Sequence, residues 1–283
     1  DLVDAALERG LPAMALVDAN GVYGAPRFYK AAKAAGLRAI VGAEVTLDMA
    51  ASPRLTLLVA NRTGYRNLCR LITEGNTGKR KGGVKVTWDE VALHSEGLWC
   101  LTGGDEGPLA AALKKRGEGD PLERARRELS RLTAIFPGRV RVELQRHRRR
   151  DEEFRNRTLV ELARSLKIPF LATNGVKYAR PEGKELFDVQ TCIRLGTNLD
   201  AAKGILQAHR ERYVKTADDM RALFRDLPEA ITETVAVGNE LRFTLADLGY
   251  EFPDFPLPEG LTPGAYLRKI TWEHAETRFR PLH

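Results

Sequence analysis

Residues 13–47 read AMALVDANGVYGAPRFYKAAKAAGLRAIVGAEVTL, and the order of patterns within them decides the fold class. Ala13–Val17 is a short apolar run held between Pro12 and Asp18, which predicts a strand. Pro26–Ala35 carries apolar residues at helical spacing and stops at Gly36. Ala39–Leu47 turns β-rich again. Strand, helix, strand in that order is the unit from which α/β folds are built. Downstream the alternation continues. Strands are predicted at Leu55–Ala60, Gly97–Thr102, Val140–Leu144 and Pro169–Thr173. Helices are predicted at Tyr65–Thr73, Pro108–Lys115, Glu123–Phe136 and Glu152–Leu166. Upstream, Leu2, Val3, Ala6 and Leu7 recur at helical spacing and the helix stops near Gly10. At least six strands separated by helices imply a largely parallel sheet, as a barrel or an open sheet.

From about residue 200 the pattern changes. Strands vanish, and helices are predicted at Ala217–Phe224, at Glu229–Glu240 and over the last residues, TWEHAETRFRPLH. Between them lies YEFPDFPLPEGLTPG (250–264), whose four prolines predict an extended strap without helix. GNTGKRKGG (75–83) reads as an exposed loop. A domain change is therefore expected near residue 200. The chain opens on Asp1 inside a helical pattern and closes inside another, so both ends read as cuts through a longer polypeptide.

Composition narrows the class. The 283 residues hold 43% hydrophobic and 29% charged side chains, against wholesale disorder. No apolar run reaches the roughly 18–20 residues that span a bilayer. Cys69, Cys100 and Cys192 are odd in number and far apart, against a disulfide scaffold and in keeping with a reducing cytosol. Lys and Arg number 45 against 38 Asp and Glu, a net charge of +7 that hints at a polyanionic partner.

In α/β barrels, reactive groups sit at the C-terminal ends of strands. At those positions only Asp18, Glu44 and His147 have side chains suited to a divalent metal. Asp18 equally suits an Asx turn or a helix cap, Glu44 an ion pair with a nearby Lys or Arg, and His147 a solvated surface. The sequence lacks G-x-S-x-G, a P-loop and H-E-x-x-H. Gly103-Gly104, after a strand and before a helix, suits an anion cradle or simply a tight turn. Lys79, Arg80, Lys81, Arg146, Arg148, Arg149 and Arg150 could contact phosphates or lie in solvent.

Taken together, residues 11–47, GYRNLCRLIT, VELQRHRRRDEE, IPFLATNGVKYARPEGKELFDVQTCIR and LPEAITETVAVGNELRFTLADLGYEFPD resemble the N-terminal region of bacterial C-family DNA polymerases of the polymerase III alpha-subunit type, with the error-prone branch nearest. The resemblance runs through essentially the whole chain with segment order preserved. It implies an irregular PHP-type (polymerase and histidinol phosphatase) βα barrel over residues 1–200, lacking its first strand. Residues 201–283 would be the helical and Pro-rich beginning of the polymerase module.

The departures from the family are informative. The family opens with a strand bearing H-x-H, and this chain starts downstream of that position. T-D-H is Val17-Asp18-Ala19, and a ligand His corresponds to Arg54. N-D-V-H-Y is Asn174-Gly175-Val176-Lys177-Tyr178, so Lys177 is expected to put a positive charge where a cation would sit. Glu44 and His147 match surviving ligand positions, with Asp18 adjacent, too few for a multi-metal hydrolytic site.

The resemblance thus implies a segment of an error-prone DNA-directed DNA polymerase acting in damage-induced translesion synthesis. The segment itself would be structural, with no catalytic residue of its own, the palm aspartates lying beyond residue 283. No cofactor is expected on the chain; Mg is expected for the parent polymerase, and Zn or Mn only with an active PHP site. Implied partners are primer-template DNA, deoxynucleotides, and mutagenesis and sliding-clamp proteins, in the cytoplasm and with no membrane. Two alternatives stay open. One is a working phosphoesterase or 3′–5′ exonuclease, recruiting Asp188 or Asp18 beside Glu44 and His147. The other is an interaction module of a repair complex, docking through residues 250–263.

Overall fold

A computed structural model describes residues 1–78, 83–114, 119–248 and 255–279. Among the described residues six strands form one curled sheet, a half-barrel: β1 (Ala13–Ala19), β2 (Arg38–Thr46), β3 (Arg54–Val59), β4 (Leu98–Leu101), β5 (Val140–Gln145) and β6 (Phe170–Thr173). They lie side by side in chain order. β1 pairs parallel with β2, β4 with β5, and β5 with β6, whereas β3 is antiparallel to both neighbours. The reversal of β3 follows from chain length. Only the loop from Leu47 to Pro53 joins β2 to β3, too short for the crossover that a parallel pair needs. Ala51 and Ser52 take left-handed backbone angles, φ 66° and 43°, to close it.

Helices cover the outer face. α1 (Leu2–Glu8) and α2 (Ala25–Ala34) bury Val3, Ala6, Phe28 and Ala32 against Leu37 and Ala39. α3 (Arg62–Asn76) starts on Asn61, whose side chain accepts the Gly64 N–H at 2.9 Å. α4 (Trp88–Leu93), not expected from apolar spacing, is set by a capping box between Thr87 and Glu90. α5 (Pro108–Lys114), α6 (Pro121–Ile135) and α7 (Arg150–Ser165) follow, then α8 (Gly183–Leu195), also unexpected. α9 (Ala217–Leu223) and α10 (Pro228–Glu240) come next.

The inner face has two halves. Strand alternation and register place Ile40, Leu58, Leu101 and Leu171 on one side of the sheet, with Glu44, Arg54, Thr56, Glu143, Gln145 and Thr173 further along the same side. The apolar half packs on Val237 and Leu241 of α10. Burial of two such side chains contributes about 3–6 kcal/mol. α10 also covers the free edge of β6, where Thr234 Oγ1 accepts the Ala172 N–H at 3.1 Å and lies 2.8 Å from the Ala172 carbonyl. The polar half sits at the C-terminal ends of the parallel strands and carries the candidate site.

Compact packing divides the chain into Asp1–Asp247 and Leu248–His283. Strands do cease after residue 200 among the described residues, yet α9 and α10 belong to the first unit. The second unit holds α11 (Pro263–Arg278), N-capped by Thr262. Here the proline-rich expectation needs correction. Pro263 falls in the first helical turn, where a missing N–H costs nothing, so helix begins inside the stretch expected to exclude it.

Candidate functional site

β5 and the loops after β4 and β6 build the polar end. Glu143, 6% exposed, accepts hydrogen bonds from Gln145 Nε2 at 2.8 Å and from the Thr173 hydroxyl. Burial pushes its carboxyl above the usual range. The bonds from Thr173 and Gln145 oppose that rise, the nearby Glu44 charge adds to it, and the Arg212 charge lowers it. Among the described residues its Oε2 accepts no hydrogen bond.

Arginines answer the other carboxylates. Arg54, at the start of β3, donates to Glu106 Oε2 at 3.1 Å, and its Nη1 lies 3.7 Å from Glu44 Oε2. Asp105, in the loop after β4, pairs with Arg155, with Arg212 at 3.5 Å and with Arg149 at 3.8 Å. Burial pushes the Asp105 carboxyl up, but Arg155, Arg212 and Lys114 outweigh it and hold it below the usual range. The Gly103-Gly104 turn thus presents two carboxylates to arginines, so the anion-cradle reading fails on charge.

His147 closes the site from β5. Its ring is buried, which removes the solvated alternative. Nε2 lies 2.9 Å from the Asn174 carbonyl oxygen and Nδ1 2.7 Å from Glu152 Oε1. A carbonyl oxygen only accepts, so Nε2 carries a hydrogen and offers no lone pair. Glu152, 1% exposed, also accepts the His147 backbone N–H. His209 stacks on the His147 ring at 5.0 Å, and burial, then the His147 charge, lowers its basicity.

A family model described as "PHP domain" matches residues 1–147. The chain belongs to the PHP domain family. It is 35% identical to "DNA polymerase III subunit alpha" of Pseudomonas fluorescens, over 99% of this chain and 24% of that one. It is 31% identical to "Error-prone DNA polymerase 1" of Agrobacterium fabrum, over 99% of this chain and 24% of that one. "Error-prone DNA polymerase" of Symbiobacterium thermophilum is 33% identical, over 99% of this chain and 27% of that one. The chain therefore spans about a quarter of the length of the curated relatives it matches.

Does this PHP domain fit the metals its family implies? Among the described residues no three of His, Cys, Asp and Glu converge as a metal site. The positive observations weigh more. The Glu44 carboxylate faces a guanidinium, both His147 nitrogens are engaged, and burial favours the neutral form of Glu143. The residues present do not fit a metal cluster.

The other sequence candidates lie as follows. Asp18 Oδ2 accepts the Gly24 N–H at 2.7 Å, just ahead of α2. Ala19 is exposed and pairs in register with Glu44. Asp188, on α8, pairs with Lys184. Gly175 sits at φ 49° beside Arg212 and Gln145. The Lys177 side chain is exposed and its backbone N–H donates to the Arg212 carbonyl, so the buried positive charge beside Gly175 comes from Arg212.

Arg146 is committed internally. It bonds Asp226, Glu153 and the Leu223 carbonyl and lies over the Phe224 ring. Arg149 pairs with Asp151. Arg148 and Arg150 are exposed. Lys79, Arg80 and Lys81 lie outside the described residues.

Sequence reasoning missed Glu143, Asp105, Glu152, Arg155, His209 and Arg212. The period of two in β5 could have found Glu143, because it places Arg141, Glu143 and Gln145 on one face. Nothing local flags Arg212, which reaches the site from the irregular stretch between α8 and α9.

Proposed function

We propose that this chain is the PHP part and the beginning of the polymerase module of a bacterial DNA-directed DNA polymerase of the error-prone kind, acting in translesion synthesis. Residues 1 to about 200 supply the PHP part and 201–283 lead into the polymerase module. What carries the polymerase reading is similarity over nearly the whole chain to proteins named DNA polymerase III subunit alpha and error-prone DNA polymerase.

In this reading the PHP part is structural and metal-ligand-depleted. Its own residues orient the polymerase module rather than cut phosphodiesters, and Arg148 and Arg150 make weak contacts with DNA phosphates. The parent uses Mg, primer-template DNA and deoxynucleotides in the cytoplasm, with mutagenesis and clamp proteins as partners.

The test is primer extension. The full-length polypeptide should extend a primed template with Mg and insert opposite an abasic site, while residues 1–283 alone should extend nothing. Extension by residues 1–283 alone, or none by the full-length polypeptide, contradicts the proposal.

A further inference from the structure

We infer that Arg54 and Arg212 are built-in counter-charges, so that guanidinium groups rather than a metal hold the acidic end of this sheet together. The inference rests on the metal-depleted reading and says what took the cation's place.

Charge placement is the first argument. Of the carboxylates at or beside the strand ends, Glu44, Asp105, Glu106 and Glu152 each have an arginine within 4 Å, whereas Glu143 accepts from Gln145 and Thr173 and Asp18 accepts the Gly24 N–H. Arg54 lies between Glu44 and Glu106, at 3.7 and 3.1 Å. Arg212, 6% exposed, reaches Asp105 at 3.5 Å and lowers the cost of ionising Glu143 through its charge. Arg155, 7% exposed, joins Asp105 to Glu152, the latter at 3.7 Å. A partly buried carboxylate needs a counter-charge, and a guanidinium supplies one that no chelator removes.

Space beside β6 also favours the guanidinium. Gly175 has no side chain, and a Cβ built there would lie 2.7 Å from Arg212 Nη1 and 2.7 Å from Gln145 Oε1. Real Cβ atoms do not approach that closely. Its φ of 49° disfavours other residues as well. A side chain at position 175 would therefore require the Arg212 guanidinium and the Gln145 amide to shift from the places they hold here. Arg212 Nη1 instead donates to the Gly175 carbonyl at 3.3 Å. The absence of a side chain at Gly175 leaves room for the Arg212 guanidinium beside the end of β6.

The test is a double-mutant cycle on residues 1–283 read by thermal unfolding, with EDTA and with millimolar MnCl2. The wild-type midpoint should move with neither. Arg54→Ala should lower it by about 2–4 °C. Glu44→Gln placed in that background should restore part of the loss, because no carboxylate is left without its partner. Arg54→Ala should also gain a Mn²⁺-dependent rise that the double variant lacks. Arg212→Lys, which keeps the charge, should be milder than Arg212→Ala, and it stands in should Arg212→Ala fail to fold. Additive single effects with no Mn²⁺ response would overturn the counter-charge inference alone. A wild-type midpoint that falls in EDTA would instead overturn the metal-depleted reading beneath it.

Discussion

The His147 ring donates its Nε2 hydrogen to the carbonyl oxygen of Asn174 across 2.9 Å, tying the end of β5 to the end of β6. Glu152 Oε1 lies 2.7 Å from the other nitrogen, so both ring nitrogens have protein partners. His147→Phe should therefore cost stability, about 2–4 kcal/mol, because it leaves the Asn174 carbonyl without its donor and Glu152 Oε1 without its ring partner in a buried setting. Urea denaturation of both proteins measures it. A change below about 0.5 kcal/mol would contradict the structural role.

Glu143 gives a pH signature. Burial raises its folded pKa above the unfolded value, so the folded state keeps the proton longer. Stability from this group is then greatest below the unfolded pKa and declines as pH rises toward the folded one. Glu143→Gln keeps an acceptor for Gln145 and Thr173 and cannot ionise. The variant should melt higher than wild type at pH 8, with a smaller gap at pH 4. Thermal melts at the two pH values decide, and an equal gap contradicts the assignment.

The basic run after β5 splits into two roles. Arg146 is clamped by Asp226, Glu153 and the Leu223 carbonyl, so Arg146→Ala should destabilise the fold by about 2–3 kcal/mol. Arg148→Ala and Arg150→Ala should change stability by less than about 0.5 kcal/mol. Each should reduce the salt dependence of weak DNA binding by about one counterion. Fluorescence anisotropy across a salt series checks this, and an unchanged slope in both variants removes them from the DNA surface.

α10 covers an edge that would otherwise be open. Thr234→Val removes the hydroxyl that serves the Ala172 N–H and carbonyl while keeping the side-chain volume. A loss of about 1–2 kcal/mol is expected. Amide exchange should show Ala172 deprotected in the variant; wild-type protection there would mean α10 does not guard the strand.

Much of this architecture is legible in the sequence because its elements are local. Leu55–Ala60 and Val140–Leu144 declare themselves by apolar pattern, and Gly36 ends α2 where expected. α4 escaped because its signal is a polar one, Thr87 with Glu90, rather than an apolar stripe. α8 escaped because Leu186, Val189 and Ile193 remain exposed, so burial does not organise them. The site is legible only in part for a different reason. Asp18, Glu44 and His147 carry ligand chemistry in one dimension, but their partners Gly24, Arg54 and Glu152 are chosen by the fold. Arg212 reaches Asp105 across 107 positions of chain, a pairing no local pattern announces.

The central claim, that this PHP domain holds its strand ends with its own side chains and no metal, is tested most directly by elemental analysis. Residues 1–283, purified without chelators, should carry Zn, Mn and Fe well below one ion per chain and should hydrolyse no phosphodiester when Mn²⁺ is added. Stoichiometric bound metal, with Mn²⁺-dependent hydrolysis lost in Glu44→Ala, would contradict it.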